Sequence, residues 1–284
     1  MKVKPFIKWA GGKTQLINKI EPELPIKINR YFEPFLGGGS VLLFILQKYN
    51  PKEVIVSDVN YELINTYNII KNNVEELINY LEIYKNKHSE KFYYTIRGLE
   101  STTTKKLKIK VLSDSNLSEI ESAAKFIYLN KTCFNGLYRV NKENKFNVPL
   151  GKYKNPEIYN KENLLKLSKL LKNIEIKCFS YEKIKDLVKK DDFIYFDPPY
   201  DQINNNSFTT YTEFDFIRKD QEKLKDFFDF LNKKGCKVLL SNSSTDFIKS
   251  LYKNYTIKEI DARRMINSDS SKRGNIKEVL IKNY

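Results

Sequence analysis

The chain has 284 residues, 41% of them hydrophobic, enough for one large domain or a core with a smaller insert. A formal net charge of +15, a single histidine (His88) and three scattered cysteines suggest a polyanionic partner and argue against His-dependent triads, zinc sites and disulfide frameworks. No stretch approaches the ~18 apolar residues of a membrane span, and Met1-Lys2-Val3-Lys4-Pro5 lacks a signal peptide's apolar core, so a soluble, cytoplasmic protein with no membrane partner is expected.

Phe6 to Thr14 reads Phe-Ile-Lys-Trp-Ala-Gly-Gly-Lys-Thr. Its Gly-Lys-Thr is not a P-loop, because Ile7 stands where that motif needs glycine. It reads instead as a turn whose glycines let backbone approach a ligand. Tyr31 to Ser40 reads as a strand, a glycine loop and a helix start, with Ser40 as N-cap. The next strand, Val54 to Ser57, ends in Asp58, nineteen positions after Gly39. That spacing suits an acid that binds ribose hydroxyls; a plain turn residue is the alternative.

Apolar residues from Tyr61 to about Lys87 recur at helical steps, and a second helical pattern covers roughly Ser118 to Asn130. Residues 101–118 between them read as an irregular connection, and His88 as a helix-surface residue. Thr132 to Asn141 and Phe146 to Pro149 flank the polar tetrad Lys142 to Lys145 and read as a hairpin. Residues 131–177 hold eleven Lys/Arg against four Asp/Glu, a clustering that favours a phosphate-binding face.

A helix over Leu164–Leu171, a strand over Ile174–Cys178 and a helix over Tyr181–Lys189 lead to Phe193-Ile194-Tyr195-Phe196-Asp197-Pro198-Pro199-Tyr200. The apolar run suits a strand covered on both faces, and the prolines must end it. A carboxylate, a rigid carbonyl-bearing turn and an aromatic ring then sit at a strand's C-terminal end. An exocyclic amine on a nucleobase is a poor nucleophile, because its lone pair is delocalised into the ring. Asp197 and the Pro198 carbonyl can each accept one of its N–H groups and expose that lone pair, while Tyr200 offers a stacking face.

Asp201–Asp215 reads as a loop in which Phe208 and Tyr211 could hold a base or simply pack together. Asp220–Asn232 is helical with Gly235 as its C-cap. Lys237–Ser241 is a buried strand, Asp246–Tyr252 a helix, and Tyr255–Ala262 and Ile276–Lys282 an antiparallel pair around the basic loop Arg263 to Gly274.

Four stretches, Lys8 to Lys13, Phe35 to Gly39, Asn135 to Tyr153 and Asp197 to Tyr200, together resemble the Dam-type DNA adenine-N6 methyltransferase family, in family order. The resemblance implies an α/β fold: a Rossmann-like S-adenosylmethionine-dependent methyltransferase sheet with an inserted helical DNA-recognition lobe carrying a β-hairpin. It implies catalysis by Asp197, Pro198 and Tyr200, and S-adenosyl-L-methionine contacts from Trp9, Lys13, Phe35, Gly37, Gly39, Asp58 and Asp197. Lys8, Asn135, Leu137, Arg139, Pro149 and Tyr153 would touch double-stranded DNA around an adenine methylated within GATC, with Arg139 on a guanine edge and Leu137 in the space left by a flipped adenine. No metal is implied. The expected division is residues 1–60 and 165–284 for catalysis and 61–164 for recognition, in a monomer that works alone or beside a cognate restriction enzyme. An RNA adenine methyltransferase and an inactive nucleic-acid-binding protein remain as alternatives; the recognition hairpin speaks against the first and the intact Asp197, Pro198 and Tyr200 against the second.

Overall fold

The computed structural model describes residues 2–99, 117–141, 143, 145–201, 216–263 and 275–284. Among them are seven strands: β1 (Arg30–Glu33), β2 (Glu53–Asp58), β3 (Glu175–Cys178), β4 (Phe193–Phe196), β5 (Lys237–Ser243), β6 (Thr256–Arg263) and β7 (Asn275–Lys282). The described chain forms two compact units, one built from residues 2–11 and 60–178, the other from 12–59, 179–201 and 216–284. None of the described helices is long and apolar enough to cross a membrane.

The first unit is mainly helical, with β3 as its strand. The helical period over residues 61–87 resolves into two helices, Tyr61–Asn72 and Val74–Asn86. Asn73 breaks them by leaving helical geometry at φ −135°, and the Asn60 side chain caps the first by accepting from the Leu63 amide. A third helix, Glu90–Gly98, follows. All three pack on helix Leu117–Thr132, whose fully buried Ala123 and Ala124 permit close approach. His88 is a correction to the sequence expectation. It lies in the loop after Asn86, and its Nδ1 shares a 2.8 Å hydrogen bond with the Tyr128 hydroxyl. Partial burial lowers its pKa, which suits a neutral packing role.

From Thr132 the chain makes an antiparallel excursion closed by the bridges Cys133↔Leu150 and Val140↔Phe146. It starts in a 3-10 turn, Phe134–Gly136, with Asn135 and Gly136 both in left-handed backbone.

The second unit is a sheet in the order β2-β1-β4-β5-β7-β6. β2, β1, β4 and β5 run parallel, and β7 is antiparallel to both β5 and β6. β4 is buried at all four positions, as its unbroken apolar run requires. Phe196, Val238, Leu240, Val279 and Ile281 meet Leu224, Phe228 and Leu231 of helix Arg218–Lys233 in the core. Gly235, at φ 81°, ends that helix in left-handed backbone. Two local expectations are corrected. Ser40 is the first residue of helix Ser40–Lys48 rather than its N-cap; left-handed Gly39 holds the cap position, and the Ser40 hydroxyl pairs with Thr14 at 2.8 Å. Tyr181–Asp186 is a 3-10 helix rather than the start of a longer α-helix. Phe208, Tyr211 and most of the basic loop after Arg263 lie outside the described residues.

Candidate active site

In the second unit's sheet, β2 flanks β1 on one side and β4 on the other, so chain order reverses between β1 and β4. Ligands of parallel α/β sheets bind outside the carboxyl ends of the strands at such a point. The glycine loop leaves β1 there, Asp58 ends β2 there, and Asp197 follows β4 there.

After β1 the loop is tied to the neighbouring strand. The Leu36 amide donates to the Ser57 carbonyl at 3.0 Å, and the Gly37 amide to Asp58 Oδ2 at 3.0 Å. Gly37 and Gly39 adopt φ 47° and 67°, conformations that a side chain would strain. Phe35 stacks on Tyr181 at 5.5 Å and meets the edges of Phe196 and Phe216.

The turn after β4 is held from several directions. Asp197 forms an ion pair with Lys13 Nζ at 2.8 Å; the lysine is 3% exposed and the aspartate 20%. The same ammonium lies 4.7 Å from the centre of the Tyr200 ring, within cation–π range. Gln221 Nε2 donates to the Pro199 carbonyl at 2.8 Å, and its Oε1 accepts from Asn242. Asn242 in turn accepts from the Asp201 amide, and the Asp201 carboxylate takes Arg218 and the Thr245 hydroxyl. The Tyr200 hydroxyl donates to Glu278 at 2.7 Å. Pro199 and Asp201, on either side of Tyr200, are thus pinned by side chains from helix Arg218–Lys233, from β5 and from Thr245.

Burial raises the Asp197 pKa to about 6; the Lys13 ion pair and hydrogen bond pull it down, Glu278 pushes it up, and a hydrogen bond from Tyr200 pulls it down. Glu33, at the end of β1 and 2% exposed, is raised to about 8. Burial is the main cause there too, opposed by the Tyr31 hydroxyl at 2.6 Å and reinforced by the charge of Asp197. Tyr200 is held well above its ordinary value, by burial first and then by Asp197 and Glu278, so its phenol remains a donor.

Lys13, Phe35, Gly37, Gly39, Asp58, Asp197, Pro198 and Tyr200 therefore all belong to this unit. The other residues singled out by sequence lie in the first unit. Trp9 stacks on Tyr138 at 5.6 Å and leans on Phe126. Lys8 Nζ donates to the Tyr153 hydroxyl at 3.2 Å, and its backbone is held on both sides by the amide of fully buried Asn130. Gly136 makes room for Lys8, since a Cβ there would stand 2.4 Å from the lysine Cδ. Arg139 Nε donates to Asn147 Oδ1 at 2.7 Å. Leu137 is half-buried with its carbonyl accepting from the Cys133 thiol, while Arg139, Pro149 and Tyr153 are exposed.

Sequence reading missed Glu278, Gln221, Asn242, Asn130 and the direct Lys13–Asp197 pair. Glu278 and Asn242 had a faint signal, a polar residue inside an apolar strand pattern. The others reach their partners across long sequence separations, which no local pattern marks. Chemically, the rim brings together the Asp197 carboxylate, the proline turn and the partly exposed Tyr200 ring. That set is suited to a planar amine held by its N–H groups.

A family profile described as D12 class N6 adenine-specific DNA methyltransferase matches residues 9–266. The chain is 46% identical over 297 residues to the type II methyltransferase M.MjaIII of Methanocaldococcus jannaschii, covering 100% of both chains. It is 42% identical to the type II methyltransferase M1.LlaDCHI of Lactococcus lactis subsp. cremoris, covering 99% of this chain and 96% of that one. It is also 32% identical to the DNA adenine methylase of Haemophilus influenzae, covering 99% and 93%.

Proposed function

The chain belongs to the D12 class N6 adenine-specific DNA methyltransferase family, and from that premise we propose that it methylates adenine within GATC in duplex DNA, flipping the target base out of the helix to reach it. The methyl donor is S-adenosylmethionine. The rim fits that molecule: the left-handed glycine loop leaves room for its amino-acid part, and Asp58, held in place by the Gly37 amide, puts an acid at the next strand end for ribose hydroxyls. When bound, it supplies an electrophilic methyl group on a positively charged sulfur. Phe35, Gly37, Gly39 and Asp58 would hold it, with Trp9, Lys13 and Asp197 as further contacts.

Gln221 already occupies the Pro199 carbonyl, so Pro198 offers the acceptor for a ligand. Asp197 and Pro198 each take one N–H of the adenine amino group, and Tyr200 carries the ring. Held this way, the nitrogen would direct its lone pair at the methyl group that bound S-adenosylmethionine supplies, and the proton the amine gives up would leave to solvent past the Asp197 carboxylate. Orientation and charge placement do this without a covalent enzyme intermediate. The single observation that carries the site assignment is the seat of Lys13: a cationic nitrogen bound to Asp197 and lying over Tyr200, the two contacts an aminated base requires.

Residues 61–164 are the proposed recognition lobe. Lys8, Asn135, Leu137, Arg139, Pro149 and Tyr153 contact DNA in this reading, supported by the exposed basic side chains of Lys8 and Arg139, the exposed ring of Tyr153 and the family string over 135–153. The two type II methyltransferases among the relatives support a partnership with a cognate restriction enzyme. The protein acts as a cytoplasmic monomer in the same reading.

The test is methyl transfer from labelled S-adenosylmethionine to duplex DNA and to RNA, followed by mapping of modified bases. N6-methyladenine confined to GATC in DNA is the expected result. Modified adenine in a different word removes the GATC assignment, and preferential RNA labelling removes the DNA reading altogether.

A further inference from the structure

Glu278 has no part in the mechanism above. It sits on β7, opposite Ser243 of β5 and Ile260 of β6, and is 8% exposed. Its hydrogen-bond partner is the Tyr200 hydroxyl at 2.7 Å. The hydrogen bond of that hydroxyl runs to Glu278, while the same phenol also acts on Asp197, whose pKa it lowers. A phenol has one hydrogen to give, and two carboxylates compete for it. Every hydrogen bond Asp197 accepts from Tyr200 uses acceptor capacity wanted for the substrate's amino group and makes the carboxylate a weaker acceptor.

We propose that Glu278 is a positioning residue for methyl transfer: by taking the Tyr200 hydroxyl hydrogen it fixes the stacking ring and keeps Asp197 open to the adenine amine. The inference rests on the amine-binding reading of this rim. It requires a carboxylate or amide oxygen at residue 278, and it requires the Tyr200 hydroxyl. The groups facing Asp197 are Lys13 from the N-terminal turn, Glu33 from β1, Tyr200 from its own turn and Glu278 from β7; Tyr195 of β4 and Tyr31 of β1 interact with it as well.

The experiment compares Glu278→Ala, Glu278→Gln, Tyr200→Phe and the double variant Tyr200→Phe/Glu278→Ala in full-length protein, with labelled S-adenosylmethionine and duplex DNA. Glu278→Ala is expected to lower kcat about tenfold, the scale of one lost hydrogen bond at a reacting group, with DNA affinity unchanged. Glu278→Gln, whose amide oxygen still accepts from the phenol, is expected to restore kcat to within about twofold. Both variants remove a negative charge near Asp197, so the acid limb of kcat/KM moves to lower pH in each. In the Tyr200→Phe background, Glu278→Ala is expected to cost nothing further. An equal loss in that background, or an acid limb that stays in place in both variants, overturns the proposal, and Glu278→Gln serves if the alanine variant does not fold. A wild-type protein that leaves DNA unmethylated condemns the functional reading itself, whereas normal wild-type transfer with an unaffected Glu278→Ala condemns only the role of Glu278.

Discussion

Asp197 is asked to accept a hydrogen bond as a carboxylate, yet its surroundings favour the protonated acid. Its pKa of about 6 lies above the usual ~4, so the folded protein holds this proton until the pH passes about 6. Below that point the Lys13 ion pair and one acceptor are lost together. The predicted kcat/KM profile therefore has an acid limb near pH 6, and Asp197→Asn should remove the limb along with roughly 100-fold or more of the rate; a flat profile in the wild type would disconnect Asp197 from catalysis. Glu33 behaves differently. Raised to about 8, it is neutral at pH 7 and bonded to Tyr31. A carboxyl whose folded pKa is raised contributes its full stability below about pH 4 and loses it as pH climbs toward 8. Glu33→Gln should thus be tolerated, and its stability relative to wild type should improve between pH 5 and 8 by up to ~1.4 kcal/mol per pH unit. Urea denaturation at several pH values checks the slope, and a constant difference would mean that Glu33 is already ionised.

At the scale of elements, the turn into the hairpin depends on backbone that few residues adopt. Gly136, at φ 64°, closes the 3-10 turn against Lys8, and a Cβ there would meet the lysine's own Cβ at 2.8 Å. Gly136→Ala should destabilise the first unit by roughly 1–3 kcal/mol. Gly98→Ala is the matched control, since nothing lies within 4 Å of a Cβ there, and equal losses in the two would show that packing at Lys8 is irrelevant. The hairpin that follows is closed by isolated bridges rather than long ladders, leaving Arg139 anchored mainly through Asn147. If Arg139 reads a guanine edge, Arg139→Ala should cost about 1–3 kcal/mol of discrimination at that base with cofactor affinity intact. Methylation rates on single-substituted duplexes measure this; unchanged discrimination would place the reader elsewhere.

For the whole molecule, a charge of +15 makes DNA affinity a matter of counterion release. Binding should weaken at least tenfold between roughly 50 and 200 mM salt, while S-adenosylmethionine affinity, set by short-range contacts, should hardly change; titration of both ligands across that range separates the two. The strand order of events, the glycine loop, the acid after β2 and the proline turn after β4 were all legible in the amino-acid sequence, because each is a local pattern: an apolar run of strand length, then residues that forbid its continuation. So were the helix Arg218–Lys233 and the antiparallel pair β6–β7, whose periods are strong. The helical pattern over 61–87 does not by itself mark its division into two helices, because periodicity survives a one-residue break at Asn73, and Ser40 was assigned a cap because residue type alone does not reveal the left-handed glycine before it. What only the tertiary structure decided is how distant polar groups meet. Lys13 reaches Asp197, Tyr200 reaches Glu278, and Gln221 reaches both the second proline and Asn242. A sequence states which residues follow which along a strand, but the partners of a buried charge are chosen by which strands lie side by side, and that order is settled only when the sheet assembles.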